Sequence, residues 1–335
     1  MKDIILNKLT PSRVRNIVQA GFAAFLLYVG YRFYLWVEFY RSGGVAEYVS
    51  RPAAVEGFLP IAALVGLKNW LANGVFDEVH PAGLVILLTI ILISLLYRKS
   101  FCSWLCPVGT LSEAVGRLGR KVFGRNINLP KWLDYPLMGL KYVLLAFFLY
   151  FILIGMDGQA ALEFMYSPYN TVADIKMMDF FLNLGSTKLL VILGLIIGSV
   201  FIRNFWCRYL CPYGALLGLF SWLSPVKISR NDEECINCGK CTRACPNRIQ
   251  VASLAKVNSV ECTGCLECVS NCPRTEALNL TLLAKKKINP LVFPALVLGT
   301  FLLVVTVAKL TGHWETVLTH EYYQQIIPAI SSISH

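Results

Sequence analysis

Charge is what this sequence has least of. Only 15% of its 335 residues are Asp, Glu, Lys or Arg, while 56% are apolar. A soluble domain carries about a quarter charged residues, so the shortage excludes an ordinary soluble protein and points to a chain bathed largely in lipid. Histidine is scarcer still. The four, His80, His313, His320 and His335, all fall outside the long apolar runs. No two can face each other inside a bilayer, which argues against b-type haem, and no Cys-x2-Cys-His offers a c-type attachment. Between Asp232 and Leu283 there is neither a glycine-rich phosphate loop nor an acid–base pair beside the cysteines. Substrate chemistry in that segment is thereby disfavoured.

What is present begins with apolar runs. Spanning the hydrocarbon core takes roughly 20 apolar residues. Five runs are expected to span: Ile17–Val37, Ala82–Tyr97, Leu137–Met156, Leu189–Ile202 with its flanks, and Leu291–Ala308. The first is too long for a removed signal peptide and reads as a retained span. Basic residues cluster in alternate loops: four in 1–16, seven in 98–136 and twelve in 203–290, against three in 38–80, one in 157–187 and none in 310–335. Basic loops stay cytoplasmic. The reading is therefore a multi-pass protein of a bacterial-type inner membrane with its N-terminus inside and its C-terminus outside. This asymmetry accounts for the net charge of +11 without invoking nucleic acid.

All twelve cysteines fall in ordered groups. "CINCGKCTRACP" places Cys235, Cys238, Cys241 and Cys245 before Pro246, and "CTGCLECVSNCP" places Cys262, Cys265, Cys268 and Cys272 before Pro273. Three thiolates at this spacing wrap one face of a cubane cluster, while the fourth turns to the neighbouring one. The expected assignment is crossed: Cys235, Cys238, Cys241 and Cys272 for one [4Fe–4S] cluster, and Cys262, Cys265, Cys268 and Cys245 for the other. Paired zinc knuckles would also use Cys-x2-Cys, but zinc has no use for the third close Cys and the Cys-Pro ending. Disulfides are disfavoured on the cytoplasmic side.

The other four cysteines sit in a repeated phrase, "FCSWLCPVGT" from Phe101 and "WCRYLCPYGA" from Trp206. Arg98 aligns with Arg203, Leu105 with Leu210 and Gly109 with Gly214. Upstream, Glu56, Pro60 and Lys68 echo Glu163, Pro168 and Lys176. Two parallel helical hairpins related by a pseudo-twofold axis would bring the two corners together. Cys102, Cys106, Cys207 and Cys211 could then share a further iron–sulfur centre or a soft metal such as Cu(I). A packing corner is the plainer alternative. Glu56 and Glu163, the repeated outer carboxylates, are candidates for taking protons from a quinol.

These residues resemble the polytopic membrane ferredoxins of the NapH, NosR and CcoG type. The resemblance rests on "RKSFCSWLCPVGTLSE", "NFWCRYLCPYGALLG", the two ferredoxin runs, and the outer-loop "VEGFLPIAAL" and "SPYN". It implies electron transfer between the quinone pool or cytoplasmic donors and a redox partner beyond the membrane, such as a periplasmic cytochrome or reductase. It also matches Cys102, Cys106, Cys207 and Cys211 to the family's paired membrane motifs. The expected fold is an all-α polytopic membrane protein with an inserted α+β ferredoxin-like domain. Its parts are a first hairpin (1–136), a second hairpin (137–225), the 2[4Fe–4S] insert (226–288), and a fifth span with an outer tail (289–335). That tail, with Trp314, Tyr322 and Tyr323, suits an interfacial helix. The chain departs from the NosR type in lacking its flavin domain, and from the CcoG type in lacking its terminal β-domain. A component of a membrane oxidoreductase complex is expected rather than a stand-alone enzyme. The alternatives are a cytoplasmic Cu(II)-to-Cu(I) reductase and a redox sensor.

Overall fold

The computed structural model describes residues 10–283 and 286–333. Residues 1–9 and His335, which enter the charge and histidine readings above, lie outside the described residues. Among those described, three helices are long and apolar enough to cross a membrane: Pro11–Arg41, Lys131–Ile154 and Phe293–Leu310. They coincide with three of the five expected runs. The second run forms the helix Pro81–Tyr97, whose 17 residues reach about 26 Å at the α-helical rise, short of a roughly 30 Å core. The fourth run lies in Ser186–Phe201, which follows Ala173–Leu182 after a bend of 80°; together they make a fourth span only if counted as one broken helix.

The described residues form two compact units. The first takes in residues up to Ala23, Ile90–Leu145 and Ile192–Phe301; the second takes in Ala24–Thr89, Ala146–Val191 and the residues from Leu302.

The first unit contains an antiparallel sheet that brackets both ferredoxin runs. Strand β1, Val226–Arg230, precedes the first run, and β2, Leu278–Leu282, follows the second; they pair from Val226 opposite Leu282 to Arg230 opposite Leu278. Strand β3, Lys286–Ile288, adds to the free edge of β2. Val226, Ile228, Leu278 and Leu280 are buried on one face, as the two-residue period of a half-buried strand requires. They share a core with Val251, Val257, Leu266, Trp104, Leu105 and Phe293. Trp104 meets Phe293 edge-on, with centroids 5.9 Å apart. The insert is thus packed onto the first Cys-x3-Cys-Pro corner.

In the second unit Val29, Phe33, Trp36, Val37 and Tyr40 pack with Val172, Ile175, Tyr323 and Ile327. The tail helix His320–Ile326 contributes Tyr323 and Ile326 to this core. Tyr323 lies edge-on to Trp36 at 4.8 Å, and the Tyr322 hydroxyl is 2.8 Å from Thr171 Oγ1. Trp314 is buried too, beneath Lys309.

Candidate functional site

The two ferredoxin runs fold alike because they share backbone requirements. In the first, Asn237 and Gly239 flank Cys238 with positive φ; in the second, Gly264 and Leu266 flank Cys265 in the same way. Two left-handed residues around the middle cysteine coil the chain so that three thiols face one side. Glycine and asparagine enter that region readily, whereas Leu266 is held there by burial in the core. Each run then closes in a short helix, Lys240–Ala244 or Glu267–Ser270. Cys245 leaves its helix in extended backbone, as a residue before proline must.

The cysteines surround cavities in sets of four. One small cavity is lined by Cys235, Cys238, Cys241 and Cys272. Another is lined by Cys262, Cys265, Cys268 and Cys245. Each run therefore sends its last cysteine to the cavity of the other.

A third cavity is lined by Cys102, Cys106, Cys207 and Cys211. The two corners are built alike. Cys106 donates its N–H to Phe101 O at 2.9 Å, and Cys211 to Trp206 O at 3.0 Å, a five-residue closure in both. Each cysteine is then the extended N-cap of a helix with proline at its first position, Pro107–Phe123 and Pro212–Trp222. Proline fits there because that N–H has no helical partner. Cys211 Sγ accepts from Gly214 N at 3.2 Å. Negative charge at these thiols faces the positive ends of two helices. The corners differ in tightness. A Cβ at Gly109 would run into the carbonyl oxygen of Cys102, whereas one at Gly214 would sit 3.7 Å from Cys207 O, an ordinary contact. Gly109→Ala should accordingly disrupt the first corner and lower the purified yield of iron-loaded protein, while Gly214→Ala is tolerated; iron content of the two variants checks this.

The donor set fits iron–sulfur clusters. The thiols are soft ligands grouped in fours, and each quartet encloses space instead of closing on a point. Among the described residues no three His, Cys, Asp or Glu side chains converge tightly enough for a single metal ion. Burial pushes the Cys106 thiol up to about 11 against the opposing N–H of Gly109, and Cys265 up to about 12. Free thiolates are thus disfavoured, and loading a cationic centre must expel protons.

Buried charges hold the insert against the corners. Glu261, next to Cys262, accepts from Lys141 Nζ at 2.6 and 2.7 Å, from Lys99 Nζ at 3.3 Å and from the Tyr142 hydroxyl at 3.2 Å. Burial alone would raise the Glu261 carboxyl, but Lys99 and Lys141 outweigh it and hold it down at about 2. Ser103 Oγ donates to Thr263 O at 2.7 Å, and Trp104 Nε1 to Gly264 O at 3.1 Å. In the second corner Arg208 grips Asp134 through Nε and Nη2, at 3.0 and 2.6 Å, and donates through Nη1 to Asn247 O. Arg15 bridges Glu113 at 2.7 Å and Glu267 at 2.8 Å. Glu261→Ala would strand two buried ammonium groups, and losing one partner of such a pair costs about 3–5 kcal/mol. A large drop in the thermal unfolding midpoint in detergent is expected, with Glu261→Asp much milder.

Sequence reasoning missed these residues, although Lys141 inside an apolar run was a usable signal. Of the two outer carboxylates, Glu163 is exposed and accepts from Gln159 at 3.0 Å. Glu56 is fully buried and paired with Arg51 at 2.8 Å. The structure does not bring the two together.

Comparison with known proteins follows the same division. A family model described as a 4Fe-4S binding domain matches twice, over residues 79–126 and 187–231, each match containing one corner. A 4Fe-4S dicluster domain matches residues 229–280. The "Putative electron transport protein YccM" of Escherichia coli K12 is 47% identical over 327 residues, 96% of this chain and 91% of that protein. Protein NirI of Paracoccus denitrificans is 30% identical over 204 residues, 60% of this chain and 29% of its own. Ferredoxin-type protein NapH of Escherichia coli is 26% identical over 175 residues, 50% of this chain and 55% of its own. No solved structure matches. Apolar helices together with 4Fe-4S domains define a membrane iron–sulfur protein. More narrowly, the chain belongs to the NapH/NosR-type polytopic membrane ferredoxins.

Proposed function

We propose that this chain is an electron-transfer subunit passing single electrons between cytoplasmic donors or the quinone pool and a redox partner on the far side of the membrane. The observation that carries the reading is the gathering of all twelve cysteines into three quartets, each around its own cavity. Cys235, Cys238, Cys241 and Cys272 would hold one [4Fe–4S] cluster, and Cys262, Cys265, Cys268 and Cys245 the second. Cys102, Cys106, Cys207 and Cys211 would hold a further centre. Bound clusters supply one-electron chemistry at potentials set by their surroundings.

Adjacency orders the quartets. Pro246, Asn247 and Thr263 line both the Cys262 cavity and the corner cavity, whereas the Cys235 cavity shares no residue with the corners. The Cys262 quartet is the middle one, and two of its thiols, Cys265 and Cys268, are buried. The excess of Lys and Arg in the flanking loops supports a cytoplasmic position for this part of the chain. A quinol arriving at the outer loops would find Glu163 accessible and Glu56 already engaged by Arg51. The name of the E. coli relative, an electron transport protein, supports the same role.

Anaerobically reconstituted protein is expected to carry at least about eight iron atoms per chain, the number two cubanes require; a smaller count overturns the proposal. The alternative reading is copper reduction, with the soft corner thiols holding Cu(I). Cys102→Ser should abolish quinol-linked reduction of the partner in membranes while leaving copper retention unchanged. The reverse pattern would favour copper.

A further inference from the structure

The second unit buries a group of charges that electron transfer leaves unused. Arg51 donates through Nη1 to Glu56 Oε1 at 2.8 Å and through Nη2 to Asp174 Oδ2 at 2.7 Å, with its guanidinium over the Trp36 ring. Glu56 Oε2 accepts from Gly83 N at 3.1 Å. Glu56 and His80 are both 0% exposed.

The imidazole is fixed at one nitrogen and open at the other. His80 Nε2 lies 2.6 Å from the carbonyl oxygen of Asn170. A carbonyl only accepts, so Nε2 carries a hydrogen. Nδ1 has no hydrogen-bond partner and stands 3.6 Å from Glu56 Oε1. In a neutral ring its bare lone pair would face a carboxylate oxygen in a buried site. The charges give an independent argument: Arg51 is one cation against two carboxylates, Glu56 and Asp174, leaving an unbalanced negative charge in the interior, which is costly. A proton on Nδ1 removes both faults at once.

We infer that His80 and Glu56 hold one proton between them, making Arg51, Glu56, Asp174 and His80 a neutral, buried proton-binding site. The inference does not rest on the cluster assignments. Two further titratable groups lie by the site. Asp77, on the loop that carries His80, accepts from Val79 N at 3.0 Å and His80 N at 2.8 Å; burial pushes its carboxyl above the ordinary range, against the pull of these two N–H groups. Tyr323, from the tail helix, turns a buried hydroxyl without a hydrogen-bond partner toward the same charges. Burial alone works against an imidazolium at His80, but Glu56 outweighs it and the pKa stands above its usual value. A folded-state pKa above the unfolded one means that the stability it contributes is complete below the unfolded pKa and is lost as pH rises through the folded one.

The test uses the full chain in detergent with 15N-labelled histidine and with His313, His320 and His335 changed to Gln, leaving His80 as the sole imidazole and its neighbours untouched. At neutral pH both ring nitrogens should report hydrogen, and the hydrogen on Nδ1 should persist above the ordinary histidine range. In the same background Glu56→Gln should turn the ring neutral, because the amide offers Nδ1 an N–H in place of the proton and removes the attracting charge. A bare Nδ1 at neutral pH in the parent overturns the inference. Should Glu56→Gln fail to fold, the parent spectrum decides alone, since it leaves the site intact.

Discussion

Cys245→Ser is expected to abolish the centre at Cys262, Cys265 and Cys268 and to spare the one at Cys235, Cys238 and Cys241, with a loss of about four iron atoms per chain. Cys272→Ser should do the opposite. The expectation follows from where the fourth cysteines stand. Proline after Cys245 holds it in extended backbone, so its thiol leaves the helix that presents Cys241 and lines the cavity of the second run. Cys272 lines the cavity of the first. A serine oxygen is a poor substitute for a thiolate toward iron in a cubane. Low-temperature EPR of the two reduced variants side by side is the measurement. Loss of the Cys235 signal in Cys245→Ser would mean that each run keeps its own four ligands. If the Cys262 quartet is the middle one and the corners hold a centre, as proposed above, Cys245→Ser should also stop reduction of that centre by a cytoplasmic donor, although the Cys235 centre still accepts electrons.

The parts of the molecule that could be read from the sequence are those whose chemistry is local. Each cysteine run occupies about a dozen residues, and the spacing itself sets which way a thiol turns. The Cys-Pro ends of the corners are equally local, and their N-capping geometry follows from proline's missing N–H. The charges that position these elements are not local. Glu261 lies 120 residues from Lys141 and 162 from Lys99, and only the fold makes them neighbours. The outer loops show the opposite failure: Glu56 and Glu163 match in the alignment of the halves, yet the buried partner of Arg51 and Glu56 is Asp174, while Glu163 sits on an exposed face. Apolar composition says that a helix is buried in something, and length is needed to say that it crosses lipid; Pro81–Tyr97, with 17 residues, is shorter than the three candidate spans.

The corner cysteines are expected to act as one site: Cys106→Ser alone should cost as much electron-transfer activity as replacing Cys102, Cys106, Cys207 and Cys211 together. Their four thiols line a single cavity and come in equal numbers from two corners that share backbone closure, N-capping cysteine and following proline. Neither corner alone supplies more than two ligands. Packed there without a cation, the thiols would have to stay protonated, since burial and their mutual repulsion push Cys102 far above its ordinary range even against the pull of Lys99. A centre that needs all four is lost with the first, so single and quadruple replacements converge in the way that groups acting as a unit do. Independent packing roles predict the contrary, with losses that add from one substitution to the next. The decisive comparison is iron content and partner reduction in the four single variants and the quadruple one, with thermal stability measured on each to separate loss of a centre from loss of the fold. A quadruple variant that keeps its full iron and its full rate would reduce the repeated corner to packing alone.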